Sequence, residues 1–352
     1  MIAEAAGHDR EPESVLRAVI EAFPDATLQI EPPDTVCFAN AEARRLLGLT
    51  RTTGPLSYFL RAPEVLDAMA LASRGETQKA RFHERVPTDR WIEVHVAPLR
   101  PARRNGAVLV VLRDLTQAER IERMRADFVA NASHELRTPL ASLLGFIETL
   151  QGPARDDPVA RGRFLGIMRA QAERMSRLIN DLLSLSRIEL DEHVRPTAQV
   201  DLGDVVGQVV DGLCPMAQEQ GVEIAFRRPE RAPVIGARDE LARLAENLVQ
   251  NAIKYGATGK RIEVSIGVES GTTRPQTVLR VKDFGPGIAA LHLPRLTERF
   301  YRVDVGESRA KGGTGLGLAI VKHIASRHRA ALAIESTPGK GASFTVRFDP
   351  AE

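Results

Sequence analysis

The sequence predicts a multidomain α+β protein, because the spacing of its apolar residues changes twice along the chain. The first part alternates apolar and polar residues, the middle part carries heptads, and the last part interleaves helical and extended patterns. We therefore expect a small mixed α/β domain, then an antiparallel helical hairpin, and then a second α/β domain. The expected boundaries are 1–13 for a disordered N-terminus, 14–113 for the mixed domain, 114–191 for a connecting helix and the hairpin, and 200–350 for the second α/β domain.

Composition and charge exclude several classes of protein. Hydrophobic residues make up 43% of the chain and charged residues 27%, and the net charge of +2 is too small to predict binding to nucleic acid. The longest apolar runs, such as Ala107–Leu112, are far too short to cross a bilayer. Cys37 and Cys214 are too far apart in sequence to indicate a disulfide framework or a metal-binding pair. We expect a soluble cytoplasmic protein with no membrane segment in this chain, and indirect membrane association through a partner stays open.

The first domain is predicted from strand-like and helix-like stretches. "SVLRAVIEAF" predicts an amphipathic helix, and "ATLQIE" and "TVCFAN" predict a hairpin across the turn "PPD". A short helix is expected in "AEARRLLGL", and three further strands in "KARFHERV", "RWIEVHVAPL" and "GAVLVVLRDL". No set of haem, flavin or metal ligands stands out in these segments.

The middle part predicts two long helices with apolar seams. The seam of the first helix runs through Val129, Leu136, Leu140, Leu143, Ile147 and Leu150, and that of the second through Phe164, Met168, Gln171, Met175, Leu178, Leu182 and Leu185. The stretch "QGPARDDP" breaks the pattern, so the two helices form a hairpin. One hairpin cannot cover both seams, and a homodimer that forms a four-helix bundle completes the packing.

One histidine on the first of these helices has neighbours that suit a nucleophile. His134 falls just off the seam, Glu135 follows it, and Thr138 lies one turn further on the same face. An imidazole attacks when one ring nitrogen is unprotonated and an acceptor orients the other, and Glu135 can be that acceptor and base. Pro139 leaves the carbonyl of Glu135 without its helical donor, so we expect a bend that opens this face to a partner. A solvated surface histidine is the alternative.

The last part contains a polar helix face and two glycine-containing loops. "ENLVQNAIKY" places Asn247, Asn251, Lys254 and Tyr255 on one face, and asparagine oxygens are hard, neutral ligands that suit Mg²⁺. "DFGPGI" follows a predicted strand, and its Asp283 can accept a hydrogen bond from an amine. "GGTGLGLAIVKHI" forms a loop whose N–H groups can face phosphate at the start of a helix, although it is neither a Walker nor a Rossmann loop. An ordinary polar helix face and a simple turn are the alternatives.

The segment "FVANASHELRTPLASLLGFIETL" resembles the H box of bacterial two-component sensor histidine kinases. In that family the histidine is phosphorylated by ATP and passes the phosphoryl group to an aspartate in the receiver domain of a response regulator. The resemblance implies that His134 is the phospho-acceptor and Glu135 its acid/base. It also implies that Thr138, which completes an HExxT pattern, positions water when the kinase dephosphorylates its regulator.

The later segments resemble the nucleotide-binding boxes of the same family. "ENLVQNAIKY" matches the N box, "DFGPGI" the G1 box, "TERFYRVD" the F box and "GGTGLGLAIVKHI" the G2 box. This implies an ATP and Mg²⁺ site on a sandwich shared with Hsp90, gyrase and MutL ATPases, with Asn251 as the metal ligand and Phe300 as a lid anchor. Arg299 and Arg302 are candidate phosphate contacts, with surface solvation as the alternative. The implied nucleotide-binding residues are Asn247, Asn251, Lys254, Tyr255, Asp283, Gly285, Gly287, Ile288, Phe300, Gly313, Thr314, Gly315, Leu316 and Gly317.

Two further resemblances narrow the family. "FPDATLQIEPPDTVCFANAEARRLLGL" resembles a PAS sensor domain with Asn40 at its helix-starting position, and "RDLTQAER" resembles the junction from such a domain to a signalling helix. "LPRLTERFYRVDVGESRAKGGTGLGLAIVKHI" is similar to the phosphate-regulon (PhoR-type) sensor kinases. The similarity implies a PhoB-like response regulator, signalling of phosphate starvation, and phosphatase activity toward that regulator.

The sequence departs from the family pattern just before the N box. Relatives usually read GDxDEL before the N box, whereas this chain reads "GARDEL", so we expect Asp239 to cap the helix in place of the residue at Ala237. Two other functions remain open beside that of a histidine kinase. A chaperone- or repair-type ATPase with the same sandwich would hydrolyse ATP without forming a phosphoprotein. A degenerate kinase would act as a scaffold or phosphatase. Measurements of ATP turnover and of protein phosphorylation distinguish these three functions.

Overall fold

The computed structural model describes residues 11–49, 51–85, 89–99, 106–191, 193–270, 275–304, 306 and 312–349. The chain divides into two compact units, Met1–Asp127 and Phe128–Glu352. Residues 1–10 of the expected disordered N-terminus lie outside the described residues, and the expectation is wrong for residues 11–13, which belong to a helix that begins at Glu11. Within the described chain, no helix combines the length and the hydropathy that a bilayer-crossing segment needs.

The first unit is built on a six-stranded antiparallel sheet with the strand order β3-β2-β1-β6-β5-β4. Its strands are β1 (Ala26–Glu31), β2 (Thr35–Ala39), β3 (Gly54–Pro55), β4 (Gln78–Glu84), β5 (Arg90–Pro98) and β6 (Val108–Asp114). Its helices are α1 (Glu11–Glu21), α2 (Ala41–Leu46) and α3 (Pro63–Ala72). The predicted helices and strands are confirmed, whereas α3 and the two-residue strand β3 were not predicted.

Asn40 joins three segments of the first unit. It is the N-cap of α2, where its Oδ1 accepts from the N–H of Ala43 at 2.8 Å. The same oxygen accepts from the N–H of Thr27 at 2.9 Å, and Nδ2 donates to the carbonyls of Ile20 and Asp25. A fully buried amide needs such partners, because an unpaired one costs about 1–3 kcal/mol. Asn40 therefore fixes β1 and the end of α1 against the start of α2.

Two long helices, α4 (Thr116–Gln151) and α5 (Pro158–Leu190), form the predicted hairpin. They run antiparallel, since Glu135 pairs with Arg174 while Phe146, further along α4, packs against Phe164, earlier in α5. Asp157 caps α5 by accepting from two backbone N–H groups of its first turn. The hairpin turn thus falls in the segment "QGPARDDP", where the heptads break.

The two apolar seams of the hairpin are covered to different extents. Leu178 and Leu185 on α5 are buried in the hydrophobic core that also contains the helices and strands of the C-terminal sandwich. On α4, Val129, Leu140 and Ile147 are exposed in the single chain. The sandwich therefore covers part of the second seam, whereas much of the first seam stays exposed among the residues that the structure describes.

The sandwich contains a five-stranded mixed sheet with the order β12-β13-β11-β10-β8, in which only β8 and β10 are parallel among the described strands. The strands are β8 (Glu223–Arg227), β10 (Arg261–Ser270), β11 (Pro275–Asp283), β12 (Ala331–Ser336) and β13 (Ala342–Phe348), with a separate small sheet of β7 (Gln199–Asp201) and β9 (Pro233–Ile235). The helices are α6 (Leu202–Glu219), α7 (Arg238–Gly256) and α8 (Gly317–Arg327), with 3₁₀ turns at Ala257–Gly259 and Ala290–Arg295. Apolar side chains such as Leu244, Leu248 and Ile320 are fully buried and join these helices to the sheet. These alternating helices and strands confirm the α/β domain that the sequence predicts for this part of the chain.

The expectation that Asp239 caps α7 is wrong. The N-cap is Ala237, which has no side chain that could accept a hydrogen bond. Instead, the N–H of Ala237 donates to Nε2 of His328 at 3.0 Å, and Nδ1 of His328 lies 2.8 Å from the carbonyl of Ile324. His328 is only 3% exposed, and burial lowers its pKa, which keeps the imidazole neutral and able to accept. A buried histidine from the end of α8 therefore supplies the acceptor that the missing aspartate does not.

Candidate nucleotide and phospho-acceptor site

One polar face of α7 borders a cavity of about 440 Å³ in the second unit. Asn247, Asn251, Lys254 and Tyr255 line it at helical spacing. The opposite face of the helix carries buried residues, including Leu248, that fix the orientation of α7 against the sheet. The amphipathic pattern of this one helix therefore directs two amides, an ammonium group and a phenol into the same space.

The amide of Asn247 has a defined orientation. Its Nδ2 donates to the carbonyl of Arg243 at 2.8 Å, so Oδ1 is the atom left to accept from, or coordinate, a ligand. Gly317 at the start of α8 lies against this oxygen, because a Cβ there would be 2.6 Å from it. The absence of a side chain at Gly317 thus allows the glycine loop to approach the amide face of α7.

Asp283, the last residue of β11, contributes a buried carboxylate to the cavity. It is 6% exposed, and its Oδ1 accepts from the N–H of Gly285 at 2.9 Å and of Ala342 at 3.2 Å. Burial raises the pKa of Asp283, and these two backbone hydrogen bonds oppose the rise because they favour the charged form. The carboxyl group is therefore fixed in place as a polar contact for a ligand in the cavity.

Two glycines bring backbone segments together around the cavity. Gly287 has φ 72° and packs so tightly against the carbonyl of Thr337 that a Cβ would overlap it. Gly315 has φ 75°, and a Cβ there would lie 2.8 Å from the Cα of Phe300. Left-handed backbone and close contact together require glycine at both positions.

His134 lies exposed on α4, outside the lining of this cavity, and Glu135 connects the two places. Oε2 of Glu135 is 3.0 Å from Nη2 of Arg174 on α5 and 3.0 Å from Nη2 of Arg302, which lines the cavity. Arg302 also donates to the carbonyl of Thr314 in the glycine loop at 2.9 Å. The neighbour of His134 is thus joined to the cavity by one guanidinium group.

Comparison with known protein families gives three successive matches along the chain. Residues 20–120 match the PAS fold, residues 124–191 match the His Kinase A (phospho-acceptor) domain, and residues 236–352 match the histidine kinase-, DNA gyrase B- and HSP90-like ATPases. The phosphate regulon sensor protein PhoR of Pseudomonas aeruginosa is 35% identical over 349 residues, which is 96% of this chain and 76% of that protein. The chain belongs to the sensor histidine kinases. It is a PhoR-type member with the domains of a protein-histidine kinase, and the phospho-acceptor domain separates it from chaperone- and repair-type ATPases.

Other histidine kinases match this chain over different fractions of its length and of their own. The sensor protein kinase WalK of Staphylococcus epidermidis is 30% identical over 351 residues, and the chain spans 56% of its length. Among solved structures, the Acinetobacter baumannii histidine kinase AdeS is 27% identical with a TM-score of 0.48, covering 61% of this chain and 96% of that one.

The structure of this histidine kinase brings most of the expected nucleotide-binding residues to one cavity. Those that line it are Asn247, Asn251, Lys254, Tyr255, Asp283, Gly287, Ile288, Gly313, Thr314, Gly315 and Gly317. Gly285 and Leu316 border it indirectly, since Gly285 donates to Asp283 and the N–H of Leu316 donates to the hydroxyl of Thr314 at 3.3 Å.

Phe300 lies outside the described lining of the cavity. Its ring packs against Phe128 at the start of the hairpin, with the ring centroids 5.9 Å apart. Its backbone has φ 63°, an unfavourable conformation for a phenylalanine, and its N–H donates to the carbonyl of Gly315 at 2.8 Å. Phe300 therefore fixes the glycine loop against α4 in this arrangement.

The kinase hairpin contributes cavity residues that sequence reasoning missed. Arg177, Asn180 and Asp181 on α5 all line the cavity. Oδ1 of Asp181 accepts from Arg243 at 3.0 Å, and Oδ2 accepts from the hydroxyl of Thr314 at 2.8 Å. Their spacing within one turn of α5 was visible as a polar face, but the sequence alone does not show which domain that face meets.

Proposed function

We propose that this kinase phosphorylates its own His134 from ATP and passes the phosphoryl group to an aspartate in the receiver domain of a response regulator. The proposal rests on a side-chain contact between the wall of the cavity and the residue next to His134. Arg302 lines the cavity and binds Glu135, whose neighbour His134 is exposed on the same helix. The cavity that would hold the nucleotide and the helix that carries His134 are thus joined by the Arg302–Glu135 ion pair.

The cavity residues suit the parts of a nucleotide. The fixed carboxylate of Asp283 accepts from the exocyclic amine of adenine, and Gly287 gives the base close access to the backbone. Asn247 and Lys254 face the phosphates from α7, and the N–H groups of the glycine loop before α8 face them from the other side.

The same residues fit a magnesium ion. Mg²⁺ binds few protein ligands and takes the rest of its oxygens from phosphate and water, so one or two neutral oxygen ligands are enough. Asn251 would hold the ion, and Asn247 presents a second amide oxygen because its nitrogen is used by Arg243. When bound, Mg²⁺ supplies positive charge that neutralises the phosphates.

Phosphoryl transfer needs His134 as nucleophile and Glu135 as its base. A ring nitrogen of His134 forms a bond to the γ-phosphorus while the bond to the bridging oxygen breaks and ADP leaves. Glu135 orients the imidazole and accepts the proton from its other nitrogen. Positioning and charge stabilisation supply most of the rate, as is general for phosphoryl transfer.

The kinase acts as a homodimer in this proposal. The exposed seam of α4, which includes Val129, Leu140 and Ile147, is an apolar surface on a long helix. A second copy would bury this seam in a four-helix bundle and remove it from water.

The similarity to PhoR supports a narrower proposal about signalling. We infer a PhoB-like response regulator, a role in phosphate starvation, and a phosphatase activity in which Thr138 positions water. The hydroxyl of Thr138 lies one turn beyond His134 and donates to the carbonyl of His134 at 3.2 Å. It therefore lies on the surface that a receiver domain would contact.

The experiment is phosphotransfer from the labelled kinase to purified receiver domains. We expect rapid transfer to a PhoB-type receiver and slow transfer to an unrelated one. The Thr138→Ala variant should still transfer but should dephosphorylate the receiver more slowly. Thr149→Ala is the matched control, since Thr149 makes the same bond to the carbonyl four residues earlier, at 2.7 Å, away from His134. Equal transfer to both receivers would contradict the proposal of a PhoB-like regulator. An unchanged rate of receiver dephosphorylation in Thr138→Ala would contradict the proposed role of Thr138.

A further inference from the structure

The second hairpin helix forms part of the wall of the nucleotide cavity. Arg177, Asn180 and Asp181 on α5 border the cavity together with the amide face of α7 and the glycine loop. These residues lie outside the nucleotide-binding boxes, which all belong to the sandwich. Their charges decide what this wall can bind.

Two of the three arginines among the described residues of the wall are neutralised by carboxylates. Arg243 pairs with Asp181 at 3.0 Å, and Arg302 pairs with Glu135 at 3.0 Å. The second oxygen of Asp181 accepts from the hydroxyl of Thr314. Both oxygens of Asp181 are therefore engaged, and neither of these arginines carries an uncompensated charge.

Arg177 is different, because it forms no ion pair with any residue that the structure describes. Its guanidinium lies beside the glycine loop, since a Cβ on Gly312 would be 3.1 Å from Nη2. It also lies close to Lys254, whose pKa is lowered first by burial and then by the charge of Arg177, while the carboxylates of Asp181 and Glu246 oppose this lowering. Two cations without ion-pair partners in the described chain thus face one space and repel each other, which favours an anion between them.

We propose that Arg177 binds the phosphate tail of ATP from the hairpin side, so that a residue of the phosphotransfer hairpin completes the nucleotide site. This inference rests on the proposed function. The planar fork of a guanidinium group suits phosphate oxygens and forms charge-assisted hydrogen bonds with them. A triphosphate would then bridge α5 and the glycine loop, and it would hold the hairpin and the sandwich in the arrangement seen here.

A nucleotide that lacks the β- and γ-phosphates cannot make this bridge, and this gives the test its selectivity. Dissociation constants for ATP and AMP would be measured with Mg²⁺ on the full chain, in a His134→Ala background so that ATP is not consumed. Arg177→Ala should weaken ATP binding about tenfold or more, the loss expected for a charge-assisted hydrogen bond, and should leave AMP binding unchanged. Arg177→Lys should retain part of the ATP affinity because it keeps the charge.

The matched control is Arg169→Ala, which removes an exposed arginine from the same helix and should change neither constant. An unchanged ratio of ATP to AMP affinity in Arg177→Ala would overturn the proposal, and so would an equal loss for both nucleotides, since that result indicates a structural role. If the chain with Arg177 intact failed to bind ATP, the proposed function itself would fail. ATP binding by that chain with an unaffected Arg177→Ala variant would remove only the role of Arg177.

Discussion

The guanidinium of Arg302 binds the carboxylate of Glu135 across 167 positions of sequence, with Nη2 3.0 Å from Oε2 and Nη1 3.5 Å from Oε1. Arg302 belongs to the wall of the nucleotide cavity, and Glu135 is the neighbour of the proposed phospho-acceptor. A carboxylate held by Arg302 and Arg174 is not at the same time free to orient His134. For the proposed transfer to His134, Glu135 would therefore have to separate from Arg302.

The Arg302–Glu135 pair should couple strongly in a double-mutant cycle. The two side chains are 5% and 16% exposed, so water screens their attraction little. With Arg302→Gln and Glu135→Gln we expect a coupling of about 1–3 kcal/mol in the free energy of unfolding, measured by denaturant titration. The exposed pair Arg169–Glu173, at 83% and 54%, should give roughly 0.2–1 kcal/mol or less. Equal coupling in the two cycles would show that the buried pair is not formed in solution.

Replacement of the proposed base should slow phosphorylation of His134 without loss of ATP binding. Glu135→Gln keeps the shape of the side chain but cannot accept a proton, and general-base catalysis typically contributes about 10²–10⁴-fold. The measurement is the initial rate of phosphohistidine formation together with the dissociation constant for ATP. Glu148→Gln, an exposed position on the same helix, is the control and should keep the parental rate. A Glu135→Gln variant that phosphorylates at the parental rate would remove Glu135 from the mechanism.

A methyl group at Gly287 should disrupt the part of the cavity that we propose binds adenine, whereas one at Gly339 should cause no overlap with other atoms. Both glycines have positive φ, 72° and 79°, so both alanine variants carry a backbone cost of about 1–2 kcal/mol. Only at Gly287 would the Cβ overlap another backbone atom, the carbonyl oxygen of Thr337, while nothing lies near a Cβ at Gly339. We expect Gly287→Ala to lose nucleotide binding and to unfold several °C below Gly339→Ala in a thermal melt. Equal melting temperatures and equal ATP affinities would contradict the packing described for Gly287.

Stability should fall at mildly acidic pH because His328 is buried in its neutral form. Its pKa is lowered by burial from an ordinary value of about 6.5, so below that pH the unfolded chain binds a proton that the folded chain does not. The contribution of His328 is fully present above about pH 6.5 and declines as the pH falls through that value toward the lowered folded pKa. Glu240 pairs with Arg327, and its Oε2 lies 3.8 Å from Nδ1 of His328. Burial raises the pKa of Glu240, so its titration changes stability with pH in the opposite direction to that of His328.

The His328 prediction is checked by chemical unfolding between about pH 5 and 8. His328→Gln should show a weaker decline toward acid than the parent chain, because its side chain does not titrate. His193→Gln, at an exposed position, is the control and should retain the parental pH dependence. An identical acid dependence in His328→Gln and the parent would show that His328 does not titrate on unfolding.

The sequence predicted those parts of the fold and site that depend on local pattern. Asn247, Asn251, Lys254 and Tyr255 share a face because a helix of period 3.6 places them there, and the core residues on the other side fix its orientation. The strands around Asp283 follow from alternating apolar residues. Helix α3 was missed, although Pro63 at its first position and apolar residues at helical spacing were visible signals.

The parts that were not predicted depend on tertiary contact. Arg177 and Asp181 look like an ordinary polar face until α5 is packed beside the glycine loop. The acceptor that His328 supplies at the start of α7 lies 91 positions from Ala237, so no local rule connects them. Phe300 matched a family motif, but its ring contacts Phe128 through a left-handed backbone that no pattern of residue types specifies.

The most direct test of the account is the chemistry of the phosphorylated protein. The purified chain and its His134→Ala variant would be incubated with γ-labelled ATP and Mg²⁺, and the protein-bound label would be exposed to acid and to alkali. A phosphohistidine at His134 predicts label that is lost in acid, stable in alkali, and absent from the variant. Equal label in both proteins, or ATP hydrolysis with no label in either, would contradict the assignment of His134 as the phospho-acceptor.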